Sequence, residues 1–444
     1  MTTPCGCPEH ERATGMTRRG LLGRALAVGA AGAFGGLAAD TLSTSLAFAD
    51  SGYQGDVLVV LSLRGGFDGL NVVVPHGDPN YYLARPQIGV PRSMLLGADV
   101  MFGLHPAMAP LLPFWQAGTL GAVHAVGQPN PTRSHFQAME EMERAAAGTS
   151  LRTGWLDRML GVNGATSPFN GVAVGSAMTP RAFAGPTPDL SVRSLDDFAL
   201  SGEAAGRPMA ATLRALYDDA PPAMATPAAA VDSALATTAA LRSAGYTPAN
   251  GAVYPDSELG AALRDVARLV KAKVGLMAAT VDFGDWDFHE NIGTPVKGQR
   301  LHDHLADVAA ALAAFAADLG PTGLAGVTLL TLSEFGRRVA ENGSRGADHG
   351  HGNAMLLLGG GVRGGRVHGR WPGLAPAQLV GGDLAGTTDY RAVIAEILQR
   401  RCGLGDINAV FPGVTAAGLG LVTPLSGRAG VGPTMSTTLP TPTG

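Results

Sequence analysis

The stretch DVLVVLSLRGGFDGLN, residues 56–71, decides the fold class of this chain. Its first eight residues form a run rich in β-branched and leucine side chains, of strand length, that stops at Arg64-Gly65-Gly66. A strand that is apolar on both faces belongs to a parallel sheet covered on both sides. A second such run, GTLGAVHAVG (118–127), follows the helix-like PAMAPLLPFWQAG (106–118). Further strands are predicted at VGLMAATVDF (274–283), GVTLLTLSEF (326–335) and AMLLLGGG (354–361). Between the first two of these, QRLHDHLADVAAALAAFAADLG (299–320) places Leu301, Leu305, Val308, Leu312 and Phe315 at helical spacing, with Gly320 as the predicted stop. Strands alternating with helices define an α/β domain.

Composition excludes several classes. With 444 residues there is enough chain for a substantial core, and 46% hydrophobic residues argue against disorder despite 63 glycines and 30 prolines. A formal charge of −4 with no basic stripe argues against a nucleic-acid partner, and none is expected. The amino terminus reads as an address: Arg18-Arg19 precede a Gly/Ala-rich apolar run, and Ala47 and Ala49 supply an A-x-A-like cleavage site. The expected partner is the twin-arginine export machinery, with Met16 as an alternative start. The run is too short and too rich in Gly and Ala for a stable membrane anchor, so the protein is expected outside the cytoplasm or at the envelope. Cys5 and Cys7 lie upstream of this signal, and Cys402 alone cannot staple a fold. The expected organisation is an extension and signal over residues 1–49, one domain over 50–425 with an Ala-rich helical insertion at about 189–268, and a disordered Pro/Thr-rich tail over 426–444.

Four short stretches concentrate polar residues where predicted strands end, and ligands of open parallel sheets bind outside those carboxyl ends. LRGGFDGLN offers Asp68, and NPTRSHFQAMEEMERA places Thr132, Arg133, Ser134 and His135 at a helix start, where an anion is favoured. DFGDWDFHE offers Asp285, Asp287 and His289. SEFGRRVAENGSRGADHGHGN offers Glu334, Arg337, Asp348, His349 and His351, with glycines expected to turn the loop tightly. Taken singly, Asp68 is a turn residue and Ser134 a helix cap. His302 and His304 belong to the helix, and His124 to a strand. Asp and His within a few residues of each other, after two different strands, compose a carboxylate and imidazole metal site. The expected cofactor is one or two divalent ions, Zn or Mn ahead of Ca or Mg.

Together LRGGFDGLN, PTRSHF, DWDFH, SEFGRR and DHGHGN resemble the domain of unknown function 1501, a family of exported bacterial proteins that looks like a branch of the alkaline phosphatase and sulfatase superfamily. The resemblance spans residues 56–404. It implies a three-layer α/β/α sandwich with metal ions at the carboxyl edge of the sheet. It also implies Asp68 as a metal ligand on the first strand and Ser134 or Thr132 as nucleophile. Asp285 fits the superfamily's Asp-x-x-x-His spacing to His289, whereas Asp287 fits the narrower family's Trp-Asp-x-His. Asp348-His349 matches the paired Asp-His, with His351 or His368 as the last metal histidine. Arg133 or Arg337 would meet developing negative charge. The chain lacks the Cys/Ser-x-Pro-x-Arg stretch of a sulfatase. The leading expectation is an exported metal-dependent hydrolase of phosphate or related esters. The second is a non-catalytic envelope-binding or assembly protein that keeps the fold.

Overall fold

The computed structural model describes residues 53–176, 178–200, 206–415 and 418–425. The signal and the tail read from the sequence lie outside them. The run that opens the analysis is β1 (Val57–Leu63), central in a nine-stranded sheet. The other strands are β2 (Val73–Val74), β3 (Gly103–Leu104), β4 (Leu120–Gly127), β5 (Gly171–Val174), β6 (Leu190–Val192), β7 (Ala278–Phe283), β8 (Val327–Leu332), β9 (Asn353–Gly359), β10 (Val367–His368) and β11 (Thr388–Asp389). The order is β10-β4-β9-β8-β1-β7-β5-β6, with β11 also on β4 and with β2 and β3 in a separate two-stranded sheet. Ten α-helices are described: α1 (Gly69–Val72), α2 (Pro79–Ala84), α3 (Leu112–Gln116), α4 (His135–Arg144), α5 (Trp155–Val162), α6 (Met209–Tyr217), α7 (Pro222–Ala244), α8 (Glu258–Ala272), α9 (Arg300–Leu324) and α10 (Tyr390–Arg400).

Alternation along β1 makes two cores. Val59, Leu61 and Leu63 face a cluster built with α8 and α9, whereas Leu58 and Val60 face one built with α5 and α10. Successive side chains of a strand point to opposite faces, so an all-apolar strand needs cover on both. Each leucine fully buried in this way contributes about 1.5–3 kcal/mol. The protein is therefore a mixed α/β domain with a mostly parallel sheet and helices on both faces.

One strand departs from the parallel expectation. β9 pairs antiparallel with both β8 and β4. Consecutive antiparallel strands need only a loop between them, not a crossover helix. Both ends of the 333–352 loop therefore stand at the carboxyl edge of the parallel strands.

The predicted stop of α9 is a kink. Gly320 takes φ 63°, which breaks the helical geometry, and the chain resumes a helical turn from Pro321 to Leu324. Residues 189–268 contain more than helices: they begin in the edge strand β6 and end in α8, whose Leu263, Val266 and Leu269 belong to the main core. Tyr246 and Tyr254 hydroxyls and the Ala249 N–H all donate to the buried carboxylate of Asp318 on α9, at 2.6, 2.9 and 2.6 Å. These bonds fasten the end of the Ala-rich segment to the core. Burial pushes the Cys402 thiol up to about 12, which leaves it an unreactive core residue.

Candidate metal centre at the carboxyl edge of the sheet

Three chain segments converge beyond β4, β7 and β8. His135 opens α4, Asp287 and His289 follow β7, and His349 lies in the 333–352 loop. Among the described residues, His135, Asp287 and His349 form a group that could hold a metal ion, with one ligand atom from each within 4.8 Å of the others. His289 adjoins it: its Nε2 lies 2.9 Å from His349 Nε2 and 3.0 Å from Asp287 Oδ1. His349 Nε2 is likewise 3.0 Å from Asp287 Oδ1, and His135 Nε2 is 3.6 Å from Asp287 Oδ2.

Each imidazole is fixed from behind through Nδ1. That of His349 is 2.8 Å from the Arg133 carbonyl oxygen, an acceptor only, so Nδ1 carries the proton and donates. That of His289 is 2.8 Å from Asp348 Oδ1, and that of His135 is 2.7 Å from Glu334 Oε1. Carboxylates also only accept, so in all three neutral rings the Nε2 lone pair faces inward. Two imidazole Nε2 atoms at 2.9 Å, both 3.0 Å from a carboxylate oxygen, need a proton or a metal ion between them. His135 Nε2 is buried and has no hydrogen-bond partner. Orphaned donor atoms and Nδ1 acceptors of this kind fit a metal ion, because they set the tautomer and the ring orientation.

The support is as specific as the cluster. Glu334, buried at 2% exposure, also accepts from the Gly65 N–H at 2.9 Å, and Ser333 Oγ donates to it at 3.2 Å. Burial alone would raise the Asp287 carboxyl, but the hydrogen bond and the charge of Arg337 work against it and favour the ionised carboxylate. The hydrogen bonds from His289 and Asn342 likewise lower Asp348.

The loop glycines differ from expectation. Gly346, Gly350 and Gly352 are absent from the positive-φ residues, so tight turning is not their role. A Cβ on Gly346 would lie 2.2 Å from the His289 backbone, and one on Gly350 would lie 2.5 Å from that of Arg337. Close approach of backbones is what these positions require.

The remaining candidates are distributed around this centre. Asp68 is paired with Arg85 at 2.6 Å, both buried, and Arg85 continues to the Val339 and Arg338 carbonyls, so the pair braces the start of the loop. Asp285, at φ 63°, lines a cleft of ≈590 Å³ with Asp287, Asp303 and Asp307. Arg337 is buried with its guanidinium bonded to the carbonyls of Gly65, Gly66, Trp286 and Ala347 and to Asp287, so it braces these loops from within the protein. Arg133 is half exposed and pairs with Asp383 at 2.6 Å. Ser134 takes the N-cap position of α4, yet its side chain makes no capping bond. Thr132 Oγ1 accepts from the Ser134 N–H at 3.3 Å and donates to Gln137 at 3.2 Å. His351 donates from Nε2 to the Gln128 carbonyl at 3.1 Å, away from the Nε2 cluster. His368 Nε2 is occupied by the Arg363 carbonyl at 2.8 Å.

Sequence reasoning places His135 at a helix start and Glu334 at a strand end without giving either a role. The available signal was that each stands directly beside a residue that was singled out, Ser134 in one case and the SEFGRR strand end in the other.

Fold and site together define an α/β protein with an imidazole and carboxylate cluster at the carboxyl edge of its sheet. The chain belongs to the family described as "Protein of unknown function (DUF1501)", whose profile matches residues 56–406. No curated protein matches it.

Proposed function

We propose that the chain is an exported metal-dependent hydrolase of phosphate or related esters on an alkaline-phosphatase-like fold. The observation that carries this reading is the convergence of three imidazole Nε2 atoms on Asp287, with Nδ1 of every ring held by an acceptor. His135, Asp287, His289 and His349 would hold the ion, and this donor set suits Zn or Mn. Once bound, a divalent ion polarises an ester oxygen and lowers the pKa of a coordinated oxygen nucleophile. Asp348 and Glu334 keep protons on Nδ1 of His289 and His135, so that both rings present lone pairs. Arg337 holds Asp287 in place from beneath.

Ser134 stands one residue before His135, without a capping bond, at the start of a ten-residue helix whose N–H groups favour negative charge. In the proposed reaction its Oγ forms a bond to phosphorus, the ester P–O bond breaks, and the alcohol leaves with the serine proton. Water then cleaves the phosphoserine, returning a proton to Oγ and releasing phosphate. Export by the twin-arginine route belongs to the same proposal and rests on Arg18-Arg19 and the run after them.

The test combines metal content, turnover and melting temperature on the same samples. The parent is expected to retain a first-row metal through purification and to turn over an aryl phosphate or a phosphodiester. Ser134→Ala and Ser134→Asp should both abolish turnover while metal content and melting temperature persist. A metal-loaded parent that hydrolyses no ester in a broad panel overturns the enzymatic reading and leaves the envelope-binding alternative in its place.

A further inference from the structure

The solvent-facing edge of the cluster, with Asp287, His289 and Asp348 each close to half exposed, lies between two clefts of opposite character. The first is the ≈590 Å³ cleft that includes Asp287; its wall carries Asp285, Asp303 and Asp307, with Arg300 as the cation facing them. The second, of ≈630 Å³, includes Asp348, the residue that orients His289. Apolar side chains make up more than half of its lining, among them Leu83 and Ala84 of α2, Val339, Leu374 and Leu379. Asn80, Asn342 and Glu341 are polar members, and Glu341 is engaged by the Gln87 and Ile88 N–H groups.

This groove has a firm floor and an open rim. Val339 and Leu374, each 2% exposed, belong to a hydrophobic core separate from the two that cover the sheet, and Leu379 packs against it. Leu83 on the rim is 78% exposed. A lone exposed leucine requires no explanation, but one on the rim of a groove that reaches the candidate centre does. The volume lies within the ordinary range for small-molecule sites, which combine apolar walls with a few polar groups. Arg338 supplies such a group; its guanidinium also bonds Asp383 at 3.3 Å.

We propose that this groove is the subsite for an apolar arm of the substrate, so that the substrate class is an alkyl or aryl ester of phosphate with its anionic head at the His/Asp cluster. The inference rests on the hydrolase reading and adds the orientation. The apolar arm lies along Leu83 and Leu379, and any polar or cationic arm lies toward Asp285, Asp303 and Asp307. An apolar arm in the acidic cleft would desolvate carboxylates without compensation.

The test measures binding first and turnover second. Titration calorimetry on the metal-loaded parent compares methyl, butyl, octyl and phenyl phosphate, and the same series is run on Leu83→Asp and Leu379→Asn. Both variants are checked for unchanged metal content and melting temperature. Each methylene added to the alkyl chain is expected to lower the parent's Kd about two- to fourfold until the groove is filled. The variants should flatten that dependence and bind methyl phosphate as the parent does. A parent indifferent to chain length, or a dependence that survives both substitutions, overturns the groove assignment. Two outcomes separate this inference from its premise. Chain-length-dependent binding with no ester turned over keeps the groove and removes the hydrolase, whereas turnover indifferent to the alkyl arm does the reverse.

Discussion

Glu334→Gln tests the centre through a residue that does not touch the ion. Glu334 Oε1 accepts from His135 Nδ1 at 2.7 Å and from the Gly65 N–H at 2.9 Å, and its side chain is buried. Glutamine keeps the shape and the oxygen but removes the charge, and in one amide orientation it turns an N–H toward the ring. The backbone bond survives; what weakens is the preference for a proton on Nδ1. Loss of an outer-shell partner of a ligating histidine costs about 10- to 100-fold in metal affinity, or about 1.4–2.8 kcal/mol. The same substitution weakens a charge-assisted hydrogen bond in the metal-free protein by about 1 kcal/mol. The two effects separate experimentally. Chelator competition reads the affinity directly, and melting curves with and without metal read the linked stabilisation. When metal exceeds both dissociation constants, the stabilisation on loading should shrink in the variant by that same amount. For a domain of this size that is a difference of about 2–4 °C in the melting shift, scaling from the entropy per residue. An affinity within twofold of the parent would refute the assignment of His135 as a ligand held by Glu334.

Three further outcomes are expected. Arg85→Met leaves the Asp68 carboxylate buried without its partner and should lower stability to urea by about 3–5 kcal/mol, a loss that Asp68→Asn in the same chain should largely relieve. Burial lowers His105 to about 3, with His302 adding to the effect, and lowers His124 to about 4. The unfolded chain therefore binds more protons than the native one below the ordinary histidine pKa. Stability should be fully present above about pH 6.5 and fall as pH drops toward 4, by up to about 1.4 kcal/mol per pH unit for each group; a flat profile over pH 4.5–6 in urea melts would contradict it. Replacing Arg18 and Arg19 by lysine should hold the protein in the cytoplasm, as fractionation and blotting will read; undiminished export of the double variant removes the twin-arginine assignment.

The sheet was legible wherever apolar runs were long. β1, β4, β7, β8 and β9 fall on the runs read from the sequence, whereas β10 and β11 are two residues each and carry no period to detect. Direction is not encoded in such runs: a run such as AMLLL buries equally well in either sense, so the reversal of β9 emerges only from pairing. The site was legible as a set of loops and less so as a set of ligands. Asp287, His289, Asp348 and His349 meet because their stretches follow β7 and β8, the two strands that flank β1. Asp68 stands just as close to a strand end, yet Arg85, 17 residues on at the carboxyl cap of α2, takes its charge. Pairing of that kind depends on where α2 packs. His135 was hidden by Ser134 beside it, since a hydroxyl at a helix start draws attention before an imidazole does.

The reversal of β9 also bears on how this architecture can vary. The 333–352 segment leaves β8 and returns in the strand hydrogen-bonded to it, so its two ends are pinned side by side. Its tip, at Asn342 to Gly346, closes through Asn342 Oδ1, which accepts from the Ser344 and Gly346 N–H groups. Lengthening a closed loop costs little, about 0.6 kcal/mol for each doubling. Most of the tip is tied to the centre, since Asn342 donates to Asp348 Oδ1 at 3.0 Å and the Ser344 and Arg345 carbonyls accept from the Asn291 and Ile292 N–H groups; the open position for added residues is Gly343, where a Cβ would meet no neighbour. Added length at that one position would reshape the mouth of the groove, which Asn342 lines, while the contacts on either side keep their hold on the centre.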